Sequence, residues 1–323
     1  MDAIFEHVSE REDEEEIVAW LEARLGSRHA LSRLKRESQN EANMTRSSLQ
    51  RWLSLYTIID TLTPIALRTS GLLSPGRRNA SRIEVARNQV ELPRLPDTFD
   101  GFTILHLSDL HADISEAAMQ ALPEAVGGLE YDICVITGDF RGKTYGPHGR
   151  AVELVRKMMA AIGNPTFGIL GNHDTAAMLP ALEWSGVRML MNEAEAICRG
   201  SDRLWLAGVD DPHFYRMDDL NTALEGVPQH DAVVLLSHSA DGHVRAEHSG
   251  VDLLLCGHTH GGQICLPGGI PVLTSSRLPR RLASGPWRQG DMVGYTSRGV
   301  GTSAIDARFN CSPEVTLHTL RNH

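Results

Sequence analysis

From residue 102 onward, short apolar runs alternate with stretches of helical periodicity. The runs are FTILHL (102–107), YDICVIT (131–137), TFGIL (166–170), LWLAGV (204–209), DAVVLLS (231–237) and VDLLLC (251–256). Near-continuous apolar strands of this kind predict sheets covered on both faces. The segments 115–126, 149–161 and 175–185 between them predict helices, and the alternation is that of an α/β protein. GYTSRGV (294–300) and EVTLHTL (314–320) predict strands without a crossover helix, so a mixed second sheet is expected.

The first 74 residues have another texture. An acidic cluster, Glu10 and residues 12–16 (EDEEE), leads into IVAWLEARL, whose apolar positions recur at helical spacing. The cluster itself reads as a solvated first turn. Residues 75–98 are basic and turn-rich, and predict an extended connector leading into an edge strand. The expected division is a helical N-terminal extension with its connector (1–98) and one larger domain (99–323).

Composition narrows the class. The 323 residues carry a net charge of −10, so non-specific nucleic-acid binding is not expected and no nucleic-acid partner is indicated. The five cysteines lack CxxC spacing and several sit in apolar runs, which suits reduced thiols in a cytoplasmic protein. The acidic start does not read as a signal peptide. WLSLYTIIDTLTPIALRTSGLL (52–73) is interrupted by Asp60, Pro64 and Arg68, which argues against a spanning helix. It leaves an interfacial amphipathic helix, and peripheral contact with the inner membrane surface, as an expectation.

Chemistry gathers where the apolar runs stop. FTILHL is followed by Ser108-Asp109-Leu110-His111, YDICVIT by Gly138-Asp139, and TFGIL by Gly171-Asn172-His173-Asp174. DAVVLLS is followed by His238, and VDLLLC by Gly257-His258-Thr259-His260. The carboxyl ends of strands in open α/β sheets are where sites form. Carboxylate and imidazole together suit Mn, Fe, Zn or Co, whereas Mg and Ca prefer oxygen shells. The donors Asp109, His111, Asp139, Asn172, His238, His258 and His260 are too many for one ion. One bridging carboxylate lets two ions use them all, a clamp suited to displacement at phosphorus. Gly138, Gly171 and Gly257 are expected to let the backbone turn sharply off each strand. Thr259 is expected to point away from the site, by the alternation of an extended segment.

A single strand-end histidine is ordinarily a packed residue, and Gly-Asp alone is a common turn. The weight lies in all five elements in one order. In that order, with GHTHGGQICLP (257–267), SRGVGTS (297–303) and PEVTLHTL (313–320), the chain from about 102 to 321 resembles the calcineurin-like metallophosphoesterases, within them the bacterial YkuE-type group. The resemblance implies a four-layer α/β/β/α sandwich of two mixed sheets. It also implies two divalent ions, manganese first among Mn, Fe, Zn, Co and Ni. One ion would take Asp109, His111, Asp139 and His260. The other would take Asp139, Asn172, His238 and His258. A metal-bridging hydroxide would be the nucleophile. His173 would face the substrate phosphate and Asp174 would orient His173. The acidic N-terminus departs from relatives that begin with a membrane or export segment.

Around this set, Arg141 reads either as a phosphate grip or as a loop arginine. GVDDPHFYR (208–216), with His213, reads as a substrate-lining loop or an ordinary polar one. Arg277, Arg280 and Arg281 could meet an anionic substrate or lipid headgroups, or simply face solvent. His106 reads as a packed or supporting histidine. The leading function is hydrolysis of a phosphodiester or pyrophosphate, with the nucleotide-lipid UDP-2,3-diacylglucosamine as the first named substrate. A soluble phosphodiesterase or phosphomonoesterase of broad scope is the alternative. A non-catalytic scaffold is remote, because no donor is missing. The N-terminal region is also a candidate dimerisation arm.

Overall fold

The computed structural model describes residues 10–46, 63–272 and 278–322. Two six-stranded sheets form its centre. The first has the order β1 (Glu84–Glu91), β14 (Glu314–Arg321), β2 (Thr103–Leu107), β3 (Ile133–Ile136), β4 (Thr166–Gly168), β5 (Val187–Met189). Strands β2 to β5 run parallel, β14 is antiparallel to β2, and β1, inside the segment 75–98, pairs in parallel with β14 at the edge; the start of that segment belongs to a helix (Leu73–Ala80) rather than being extended. The second has the order β12 (Gly285–Gln289), β13 (Met292–Thr296), β9 (Leu253–Cys256), β8 (Ala232–Leu236), β7 (Asp202–Gly208), β6 (Glu193–Arg199). Its inner strands β13, β9, β8 and β7 are parallel, and antiparallel β12 and β6 close its edges. β10 (Cys265–Leu266) and β11 (Ile270–Pro271) form a separate small hairpin.

The two-residue periodicity of a strand divides the core into layers. Ile104, Val135 and Phe167 of the first sheet meet Leu206, Val234, Leu236 and Leu255 of the second. Leu105, Leu107 and Ile136 face the other way, toward Leu122, Val155 and Leu182 on the helices. Val233, Leu235 and Leu254 face Leu220, Ala246 and Trp287. The result is the four-layer α/β/β/α sandwich. Each fully buried Leu, Ile or Val contributes roughly 1.5–3 kcal/mol, so the layering is specified many times over.

Two N-terminal helices, α1 (Glu10–Leu25) and α2 (Ser27–Arg46), pack on the outer layer of the first sheet, with Leu21 and Ala30 fully buried. Arg24 fixes α1 at the β5 end, pairing with Glu183 at 3.0 Å and Glu193 at 2.5 Å. Of the segment 52–73, residues 52–62 lie outside the described residues, as does Arg277. Among the described residues, no helix is long and apolar enough to cross a membrane. The apolar run at 294–300 is strand only as far as Thr296, and β5, β6 and β12 are strands the apolar pattern did not predict.

Candidate metal centre

All seven predicted donors converge at the carboxyl ends of β2, β3, β4, β8 and β9. The side chains of Asp109, His111, Asp139, His238, His258 and His260 are buried, and Asn172 is nearly so. Three groupings lie within reach of a shared cation: Asp109–His111–His260, His111–Asp139–His173 and Asp139–His238–His258. Asp139 Oδ2 is 3.6 Å from His111 Nε2 and 3.3 Å from His238 Nε2. His260 Nε2 is 3.4 Å from Asp109 Oδ1, and His238 Nε2 is 2.9 Å from Asn172 Oδ1.

The backbone explains how the chain crowds them together. Asp109, His111, Asp139, His258 and His260 all have positive φ, between 39° and 72°. A side chain in this left-handed region costs on the order of 1 kcal/mol or more, and such residues persist where function over-determines them. This also corrects two expectations. Thr259 does point away, donating to the Ala283 carbonyl at 2.5 Å, but the segment is not extended: Thr259 is in the helical region between two left-handed histidines. Of the three site glycines, only Gly138 (φ 88°) uses its conformational freedom. Gly171 and Gly257 are there for space. A Cβ on Gly257 would overlap Ser108 Oγ and Asp109 Oδ2, and one on Gly171 would overlap Asp139.

The donor set fits a cation pair. His258 Nε2 is buried without a hydrogen-bond partner, a cost a native site carries only for a reason. His111 Nε2 and His260 Nε2 approach to 3.1 Å and, with Asp109, would hold one cation. His111 Nδ1–H donates to the Arg141 carbonyl at 3.0 Å, and His238 Nδ1–H to the Thr137 carbonyl at 2.8 Å. Both hydrogen bonds turn Nε2 inward. Burial pushes His111 and His258 down to about 3 and His260 well below the usual range, so these imidazoles offer lone pairs at neutral pH. His238 differs: burial opposes its charge, but Asp139, Asp109 and Asp211 raise it to about 10. Burial would raise Asp139, yet His238 and His173 hold it well below the ordinary carboxylate range.

His173 sits at the open side of the centre. Its Nδ1–H donates to the Gly142 carbonyl at 2.7 Å, and its Nε2 lies 4.0 Å from Asp139 Oδ2. Asp174 does not touch that ring, contrary to expectation. It accepts from the backbone N–H groups of Phe140, Arg141 and Gly171, locking the loops after β3 and β4 together. Arg141 is not a loop arginine in solvent. It is buried, with Nε donating to the His173 carbonyl at 2.5 Å and Nη1 to the Gly146 carbonyl at 2.8 Å. His213 stands at the rim, its ring 4.3 Å from that of His258 and its Nδ1 2.7 Å from Asp241 Oδ2. Arg280 and Arg281 are exposed.

The pattern of apolar runs did not point to the groups that hold this arrangement. Arg33, fully buried on α2, lies 3.1 Å from Asp210 Oδ1, donates to the Asp174 carbonyl and stacks 3.6 Å over Tyr215. Arg308, also buried, donates to the carbonyls of Arg298, Gly299 and Gly301 behind His260. Asp211 accepts from the N–H groups of His213, Phe214 and Tyr215, which shapes the loop bearing His213.

Residues 102–262 match the calcineurin-like phosphoesterase family, and the domain built on these sheets belongs to it and is a phosphoester hydrolase. The chain is similar to the metallophosphoesterase YkuE of Bacillus subtilis, with 29% identity over 74% of this chain and 86% of that protein. YkoQ of the same organism is 28% identical over 67% of this chain and 83% of its own length. The phosphodiesterase YaeI of Escherichia coli is 29% identical over 67% of this chain and 81% of its own.

Proposed function

We propose that the chain hydrolyses a phosphodiester or pyrophosphate with the help of two divalent cations, manganese first. The observation that carries this is the position of Asp139 between two Asp/His groupings, with the six other donors around it. Asp109, His111 and His260 would hold one ion, Asn172, His238 and His258 the other, and Asp139 both. When bound, such a pair supplies a nucleophile from water near neutral pH and neutralises charge on the phosphoryl group. His173 offers Nε2 toward the leaving group from a ring fixed by the Gly142 carbonyl, the position of a general acid. His213 contributes a second imidazole at the rim, held by Asp241.

The name of YaeI supports a diester over a monoester. UDP-2,3-diacylglucosamine is the leading named substrate in this reading. Exposed apolar side chains at Ile65, Leu72, Leu266, Ile270 and Val272 support acceptance of a lipid-tailed anion at a membrane surface. Residues 1–98 are taken as an extension that braces the domain 99–323. The test is metal content of the purified protein, with hydrolysis of bis-p-nitrophenyl phosphate, p-nitrophenyl phosphate and the nucleotide-lipid, for wild type and Asp139→Asn. Two ions per chain and diesterase activity lost in the variant are expected. No bound metal and no activity with any divalent ion would overturn the reading. Hydrolysis of the simple diester alone would exclude the lipid.

A further inference from the structure

The two sheets enclose a polar line inside an otherwise apolar layer. Asn88 on β1 stands opposite His318 on β14, and its Nδ2 lies 3.0 Å from His318 Nδ1. His318 Nε2 is 3.3 Å from His106 Nδ1, and His106 Nε2 is 2.9 Å from Thr137 Oγ1. Thr137 Oγ1 is 2.7 Å from Ser108 Oγ, which is 2.5 Å from Asp109 Oδ2. His106, His318, Thr137 and Ser108 are fully buried.

Donor chemistry fixes the direction of every link. An amide nitrogen only donates, so His318 Nδ1 accepts from Asn88. A neutral ring then carries its proton on Nε2, so His318 donates to His106 Nδ1. By the same step His106 Nε2–H donates to Thr137, whose hydroxyl donates to Ser108, whose hydroxyl donates to Asp109. Argued from the other end, the carboxylate accepts and the same direction follows. Both rings must be neutral for this, and burial holds both far below the ordinary histidine range. Chains with all donors in one sense polarise each other.

We propose that Asn88, His318, His106, Thr137 and Ser108 form a one-way hydrogen-bond chain that positions Asp109 for its cation, and that these are positioning residues of the metal centre. The proposal rests on the dimetal reading above. The chain holds Asp109 Oδ2 on Ser108, the His258 N–H is shared between both oxygens, and Oδ1 lies beside His260 Nε2. It ties the edge strand to one half of the centre. Among the donors only Asp109 accepts from a side chain of this line; the Thr137 carbonyl that holds His238 is main chain and stays in both Thr137 variants, so the ion on Asp109 is the one affected.

The test is calorimetric titration of the full chain with Mn²⁺ alone, with bound metal counted by elemental analysis, for wild type, Thr137→Val and Thr137→Ser. Val keeps the shape of Thr and removes the hydroxyl, while Ser keeps the hydroxyl. Loss of an outer hydrogen-bond partner weakens metal binding about 10–100-fold. The expected result is one of two ions weakened about 10-fold in Thr137→Val and restored to within about 2-fold in Thr137→Ser, in line with that range. If Thr137→Val does not fold, His318→Phe at the far end carries the same test, with a smaller loss expected at the same ion. Nitrogen-15 spectra of the histidines should show His106 and His318 neutral, each protonated on Nε2. A wild type that takes up no Mn²⁺ overturns the dimetal reading and this proposal together. Two tight ions in both wild type and Thr137→Val, or the opposite tautomers, overturn this proposal alone.

Discussion

Replacing Arg33 by Met tests how the N-terminal helices serve the centre. The guanidinium is fully buried and faces Asp210 Oδ1 at 3.1 Å and Glu37 at 2.8 Å. Its Nη2 donates to the Asp174 carbonyl at 3.0 Å, and its plane covers the Tyr215 ring. Met fills much of the same volume but strands the Asp210 carboxylate, which is also fully buried. Breaking a buried pair by removing one partner costs about 3–5 kcal/mol. His29 remains 2.9 Å from Asp210, so the low end, about 3 kcal/mol, is expected. At ~2–4 °C per kcal/mol for a domain of this order, melting should fall by roughly 6–12 °C. Scanning calorimetry at neutral pH measures it, and Arg33→Lys should fall between, because it keeps the charge and loses the stack. Diesterase activity should fall as well, since the same side chain holds Asp174 and the loop of His213. A Met variant melting within 1–2 °C of wild type would refute the claim that this pair carries α2 (about 0.5 kcal/mol on the same scale).

Other outcomes follow from the geometry. Gly257→Ala should fold yet lose about 10–100-fold in diesterase rate, because its Cβ displaces Asp109; circular dichroism and steady-state kinetics separate the two. Asp174→Asn should leave one of three buried backbone N–H groups facing an amide donor. It should cost about 1–3 kcal/mol by denaturant titration while leaving the His173 ring on the Gly142 carbonyl. Asp241 would be raised by burial but is held down to about 2 by bonds from His213 and Ser239. Its folded value is below its unfolded one, so its contribution is complete above about pH 4 and disappears as pH falls toward 2. For a group about one-third exposed that is about 1–2 kcal/mol, and Asp241→Asn should flatten stability over that window.

The metal donors could be found in the sequence because their chemistry demands particular residue types and their topology demands strand ends. Gly-Asp, Gly-Asn-His-Asp and Gly-His-Thr-His each interrupt an apolar run, and interruption is visible in one dimension. Their left-handed backbone is not, since nothing in Asp109 or His258 as letters distinguishes φ near 60° from an ordinary turn. Asp174 was misassigned for a related reason. Proximity to His173 in sequence suggested a role on that ring, whereas its side chain turns back to accept from main-chain groups of the neighbouring loop. Arg33 looked like one basic residue in a polar helix, and only packing against a loop far along the chain reveals its burial. β5 has three residues, and β6 (EAEAICR) shows too little apolar contrast to announce itself. His106 was read as a packed or supporting histidine, while His318 was hidden by the apolar neighbours of its strand.

Strand β14 lies between β1 and β2, so a segment made more than 200 residues later separates two that precede it. On a ribosome, β1 would emerge with no partner and β2 with one edge bare, and both would wait until residues 314–321 appeared. Non-local pairing of this kind is slow and leaves strand edges open to other chains. The charges along β1, Glu84, Arg87 and Glu91, suit a strand that must stay unattached during that delay. Emergence of β14, rather than arrival of a cation, would then be the event that commits the first sheet to its final form.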